Sequence, residues 1–225
     1  MPEARDFDGA NDQLSFASDA SIDDFVALSG SLWIVIDATA TSQVLLAKGN
    51  FATDGWYFRF QATSNLRLAR TFSGTDAFWT TASPGITAGV RFHVGFTHDG
   101  STGDATIYYN GSTETPAGGP PTGTISVDAA ETLLAGESNA GTFDLDGREQ
   151  NICIANATWT AEQMNRARWW GKPGPVAVYH PLFTDKLANE GTATANGTAT
   201  GTSVAPFVTP VVRPGTAMMG MGIGW

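Results

Sequence analysis

An all-β antiparallel sandwich is the fold this sequence predicts, and three observations predict it. Short segments alternating apolar and polar residues recur along most of the chain. Clusters of glycine, asparagine and aspartate punctuate them at close intervals. Only one segment carries helical signals. Residues 91–111 show the pattern best. Phe92, Val94 and Phe96 alternate with His93, Gly95 and Thr97. The run breaks at His98-Asp99-Gly100, resumes over residues 105–109 and ends in Asn110-Gly111, a dipeptide suited to a tight hairpin turn.

The other strands follow in order. Residues 13–17 come after the turn-forming Asp8-Gly9-Ala10-Asn11-Asp12. Residues 32–36, Leu-Trp-Ile-Val-Ile, are apolar on both faces and predict a central strand covered on both sides. Residues 43–48 close at Gly49-Asn50. Trp56, Phe58 and Phe60 fall on one face of the next strand, with Arg59 and Gln61 opposite. Leu66 and Leu68 repeat the pattern around Arg67, and residues 78–81, 132–134 and 148–155 complete the set. Many short strands joined by such turns predict a sandwich or jelly roll.

The helix spans residues 161–170. Thr160 is the N-cap, and Gln163 completes a capping box. Trp159 and Met164 stand at the two positions of a hydrophobic staple. Gly171 supplies the left-handed stop, and Pro173 prevents continuation.

These signals divide the chain into a sandwich domain, 1–172, and an arm, 173–225. Residues 191–203, GTATANGTATGTS, hold no large apolar side chain and cannot offset chain entropy alone. The last eight residues carry Met218, Met219, Met221, Ile223 and Trp225, an apolar end suited to assembly or docking. Two readings of the arm stay open. It threads along neighbouring subunits, or it folds back and completes a sheet edge of its own sandwich.

Composition excludes several functions. Net charge is −10, from 12 basic and 22 acidic residues, so a basic groove for nucleic acid is not expected. The single cysteine, Cys153, lies in an apolar run. It reads as a buried thiol, with neither an intrachain disulfide nor a cysteine zinc site. No window approaches the roughly 20 apolar residues of a membrane span. The start, Met1 to Asp6, has no apolar core of a signal peptide, so no export signal is expected.

In order and spacing, these pieces resemble the laminin-G-like, concanavalin A-like jelly-roll superfamily. Four pieces carry the resemblance: the Asp6-Phe7-Asp8-Gly9 turn, the Ala47-Lys48-Gly49 strand end, and the aromatic strand Gly55-Trp56-Tyr57-Phe58, then the pattern His93, Thr97, Asp99, Gly100 running into Tyr108–Gly111. The helix start Ala161-Glu162-Gln163-Met164 matches the closing element of such domains, and the likeness covers residues 5–171. One departure stands out. Family members commonly carry an acidic pair after the glycine before the last strand, and Gly147-Arg148-Glu149-Gln150-Asn151 blurs it. Residues 176–182, followed by Asn189-Glu190-Gly191 and Gly197-Thr198, are similar to segments that follow such domains in tailed-phage structural proteins.

The resemblance sets three functions against one another. Glycoside hydrolysis needs two carboxylates roughly 5–9 Å apart. No strand offers them, and Asp144-Leu145-Asp146, the nearest pair, precedes a glycine turn. No enzyme is expected. His93, His98 and His180 lack metal-site spacing. Asp8, Asp12, Asp99 and Asp104 are loop carboxylates that suit a hard cation, so calcium is the one cofactor in play, against the plainer reading of solvated turn acids.

Sugar binding would fall to Trp56, Tyr57, Trp79 and Tyr108 as stacking platforms, with Asp99 and Asn110 accepting hydroxyl hydrogen bonds. It requires that those aromatics be exposed together. The leading expectation is a non-enzymatic phage virion component: capsid decoration, head or tail fibre, or tail-associated protein. Its partners would be other virion proteins and further copies of itself, a trimer for instance. A carbohydrate-binding module attaching to host glycans is the alternative.

Overall fold

The computed structural model describes residues 3–51, 53–101, 103–171, 173–180, 191 and 196–206. Among them the strands form two antiparallel sheets packed face to face. The first runs in the order β10 (Ser112–Glu114), β9 (Thr106–Tyr109), β8 (Arg91–His98), β3 (Leu28–Ile36), β12 (Asp146–Ala155), β1 (Glu3–Asp8) and β15 (Ser203–Pro206). An eighth strand, β13 (Val178–His180), continues the line of β1 along β12. The second sheet runs β14 (Gly197–Thr200), β2 (Gln13–Phe16), β11 (Leu133–Ala135), β4 (Gln43–Lys48), β5 (Trp56–Phe60), β6 (Leu66–Arg70) and β7 (Ala77–Thr80).

Period-two alternation builds the core between the sheets. Leu32, Ile34, Ile36, Phe92, Val94 and Phe96 face inward from β3 and β8 against Phe58, Phe60, Leu66, Leu68 and Trp79 of the second sheet. β3 is the central strand its composition predicts, paired with β8 and β12.

The outer face of the first sheet carries the helix α1 (Ala161–Trp170). Its boundaries and its capping box at Thr160 and Gln163 are those read from sequence. Met164 is buried with Tyr108, Cys153 and Trp159 beneath the helix. Gly95 makes this approach feasible, because a β-carbon there would collide with the Met164 sulfur. Cys153 is buried and donates through Sγ to the Gly171 carbonyl, 2.8 Å away.

The described part of the arm folds back. β14 forms one edge of the second sheet on β2, and β15 forms one edge of the first on β1. The connection between them turns at Gly201 and passes from one sheet to the other, closing one side of the sandwich. The described stretches of 173–206 thus pair with the sandwich through β13, β14 and β15. Glycine, threonine and alanine suffice there because backbone pairing at an edge needs no large side chain. Met218, Met219, Met221, Ile223 and Trp225 lie outside the described residues.

Candidate functional site

Three consecutive strands of the second sheet decide what it shows to solvent. Trp56, Phe58, Phe60, Leu66, Leu68 and Trp79 point into the core. Tyr57, Arg59, Arg67 and Phe78 therefore point outward from β5, β6 and β7. The register sets them in rows: Arg59 opposes Arg67, which opposes Thr80, while Tyr57 and Phe78 flank the small Ala69. The Phe51 ring bridges that row, edge-on to Tyr57 at 5.0 Å and to Phe78 at 4.9 Å.

The 136–144 connection supplies the opposite wall. Ser138 Oγ donates to the Thr142 carbonyl at 2.8 Å, and the Val44 amide donates to the Phe143 carbonyl at 2.7 Å. Phe143 is held at φ 65, a left-handed conformation that is rare for a bulky residue. Its ring is 48% exposed and lies 5.0 Å from the Arg59 guanidinium, which lies 4.9 Å from the Tyr57 ring on the other side. The Arg67 guanidinium lies 5.5 Å from the ring of Phe78, itself 39% exposed. Arg67 Nε donates to Thr80 Oγ1 at 2.9 Å.

Between these walls is a cleft of about 330 Å³. Its lining is mostly apolar, with Ser138, Thr142 and Asn50 among its few neutral polar groups, and no carboxylate faces it. Burial pushes the Arg59 guanidinium down from its ordinary value, and neighbouring Arg67 acts in the same direction. Beyond Ser138 the surface continues as a polar groove of about 560 Å³, lined by Gln13, Ser15, Glu131, Glu137 and Asn139 among others. Burial, then the nearby Asp144, raises the Glu137 carboxyl.

Of the six residues that the sequence offers as sugar contacts, Tyr57 lines the cleft. Trp56 and Trp79 are corrected to core positions, because strand alternation turns both indoles into the sandwich. Trp56 packs on Phe96 at 5.7 Å, and Trp79 on His98 at 4.7 Å. Tyr108 is buried beneath the helix on the other sheet. Asn110 sits in the hairpin turn at φ 50, where its Oδ1 accepts from the His93 amide and its carbonyl from Arg168. Asp99 is exposed beyond β8, with hydrogen bonds from Ser101 holding its carboxyl below the ordinary range. The six do not converge.

Sequence reasoning missed Phe51, Arg59, Arg67, Phe78 and Phe143 as a group. The signal was present for three of them: Arg59, Arg67 and Phe78 occupy outward positions on successive strands.

His93 and His98 are packing residues. His93 lies edge-on to Trp33 at 5.3 Å, and burial pushes its imidazole down to about 3. His98 Nδ1 accepts from the Gly100 amide and lies 3.1 Å from Arg70 Nη1. Burial, then Arg70, lowers it to about 4. The four calcium candidates are split between the two ends of the sandwich. Asp8 and Asp12 lie where β1 meets the start of β12, and Asp99 follows β8 at the far end. Among the described residues, no group of three or more histidine, cysteine or acidic side chains is placed to hold a metal ion.

The fold recurs in solved structures of low sequence identity. A protein from Bacteroides ovatus described as carbohydrate-binding superposes with a TM-score of 0.69 at 16% identity, over 93% of this chain and 61% of that one. The chain thus spans about three fifths of that protein's length. A heptameric SAP-like pentraxin from Limulus polyphemus gives a TM-score of 0.64 at 16% identity, over 91% of this chain and 94% of that one. The CBM40 of Ruminococcus gnavus IT-sialidase, solved with alpha2,3 sialyllactose, gives 0.55 at 10% identity, over 72% and 93%. No curated protein matches the sequence. The family model for the concanavalin A-like lectin/glucanases superfamily, of laminin-G type, matches residues 8–165, which run from the end of β1 through β2–β12 into the first half of the helix. The chain belongs to that superfamily.

Proposed function

We propose that the chain is a glycan-binding module whose binding face is the outer surface of the second sheet. One observation carries the reading: Tyr57, Phe78 and Phe143 present ring surface to a single cleft that also holds two guanidinium groups. Sugar-ring faces pack on aromatic rings, and a mostly apolar pocket with a few placed polar groups suits a small ligand. The left-handed backbone at Phe143 supports the reading, since such conformations cost of order 1–3 kcal/mol and cluster at functional sites. Two of the similar folds, the Bacteroides ovatus protein and the CBM40, are themselves described as carbohydrate-binding or solved with a sialyllactose.

Binding without turnover is part of the proposal. No carboxylate lines the cleft, so the paired-acid chemistry of glycoside hydrolysis has no residues there. The virion expectation drew on composition, on the tail's likeness to phage segments and on an arm with an apolar end; the described part of that arm pairs with both sheets, and the similar folds include carbohydrate-binding ones. Glycan recognition therefore leads.

A glycan array probed with the full chain tests the reading. Hits whose signal falls by about tenfold in both Tyr57→Ala and Phe143→Ala, at unchanged melting temperature, support it. An array without hits would sink it.

A further inference from the structure

The two arginines of the cleft point to the charge of its ligand, an inference that rests on the glycan reading and deepens it. Arg59 and Arg67 stand directly opposite on β5 and β6, a placement at which like charges repel. Neither has a carboxylate within ion-pair distance among the described residues, where the ion pairs use Lys48, Arg148 and Arg166 instead. Arg59 Nε is buried with no hydrogen-bond partner. The two guanidiniums therefore stand side by side in a cleft that no carboxylate lines.

We infer that the cleft takes a saccharide bearing a single carboxylate, a uronic or sialic acid residue within an otherwise neutral glycan. The guanidinium fork matches a carboxylate in shape and charge, and a charge-assisted hydrogen bond is about twice as strong as a neutral one. The flanking rings of Tyr57, Phe78 and Phe143 remove water from that pair and take the apolar face of the sugar.

The restriction to one charge comes from the neighbouring groove. Beyond Ser138 the surface presents Glu131 and Glu137, and the whole chain carries −10. A polyanion leaving the cleft in that direction would meet like charge, whereas neutral sugars would meet the amides and hydroxyls of Gln13, Ser15 and Asn139.

The test starts from array hits and continues by calorimetry with the full chain. Three titrants are compared: the best acidic hit, the methyl ester of the same glycan, and heparin as a polyanion. Array hits that each carry one carboxylate, with affinity at least tenfold weaker for the ester and for heparin, are the expected result. Arg67→Gln should lower affinity for the acid about tenfold and for the ester by clearly less, at unchanged melting temperature. The ester comparison needs no variant and so decides the matter even if that substitution perturbs folding. Equal affinity for acid and ester, or purely neutral hits, would overturn the charge inference and leave glycan binding standing. Tighter binding of heparin would overturn the single-charge restriction. An array without hits would overturn the glycan reading itself.

Discussion

Lys48 Nζ lies 2.8 Å from Asp128 Oδ1 and 2.5 Å from the main-chain oxygen of the same residue, with Asp23 Oδ1 2.9 Å away. The Lys48 side chain is 1% exposed, Asp128 is buried beside it and Asp23 is mostly enclosed. Asp128 Oδ1 also accepts from the Asp24 amide, and Asp24 Oδ1 accepts from those of Asp128 and Ala129. The cation at the end of β4 thereby fixes the long 115–132 connection, which elsewhere bridges to the neighbourhood of β7 and shields that edge.

Removing the cation leaves two enclosed carboxylates uncompensated. Lys48→Met should destabilise the fold by about 3–5 kcal/mol, read from urea unfolding. Adding Asp128→Asn should recover part of the loss, since a neutral amide tolerates the site better. A single-variant change below about 1 kcal/mol would show that the pair does not hold the connection.

Two buried histidines make stability depend on pH. Their folded values, about 3 for His93 and about 4 for His98, lie below the ordinary imidazole value of 6.5. Their contribution is thus complete above about pH 6.5 and is lost as pH falls, because only the unfolded chain takes up the protons. Each costs about 1.4 kcal/mol per pH unit across that window. The imidazole resonances of both should keep neutral-form shifts down to about pH 5. Titration of either near 6.5 in the folded protein would contradict their placement.

Glu149 runs the other way. It is fully buried among core residues, both carboxylate oxygens lack a hydrogen-bond partner, and burial raises its carboxyl well above the ordinary range. A raised folded value stabilises below the unfolded one and loses that benefit as pH rises through the folded one. Glu149→Gln should therefore be the more stable protein at pH 8, with the advantage shrinking toward pH 4.5. A variant less stable than the parent at pH 8 would show that the ionised group has a partner.

How much of this was legible in the sequence depended on range. Strand alternation is local, so the cores of β3, β5, β8 and β12 and the capped helix could be read from residue order alone. β14 and β15 could not, because such strands of small residues acquire their pairing only from edges more than 180 residues away in sequence, as Thr198 does on Ser15. The site shows the same divide. Trp56 and Tyr57 look equivalent as sugar platforms, but the pleat sends one inward and the other to the cleft. Phe143 carried no strand signal at all. Its ring reaches Arg59 only because the 136–144 connection crosses the sheet, a distance of 84 residues that no local pattern encodes.

The turn that joins the two sheets at Gly201 gives the last prediction. Gly201 turns β14 into β15 at φ 76, and a β-carbon there would overlap the Asp12 carboxylate on the turn between β1 and β2. Gly201→Ala meets two penalties at once: left-handed backbone, worth about 1–2 kcal/mol, and a collision at the seam where the arm docks. The expected result is loss of amide hydrogen-exchange protection across 197–206 and along the paired edges of β1 and β2, with the rest of both sheets unchanged. Gly119→Ala is the control, since no atom lies within 4 Å of a β-carbon there. If Gly201→Ala kept full protection over 197–206, the arm would not be seated against Asp12, and the sandwich would have to hold its two edges by other means.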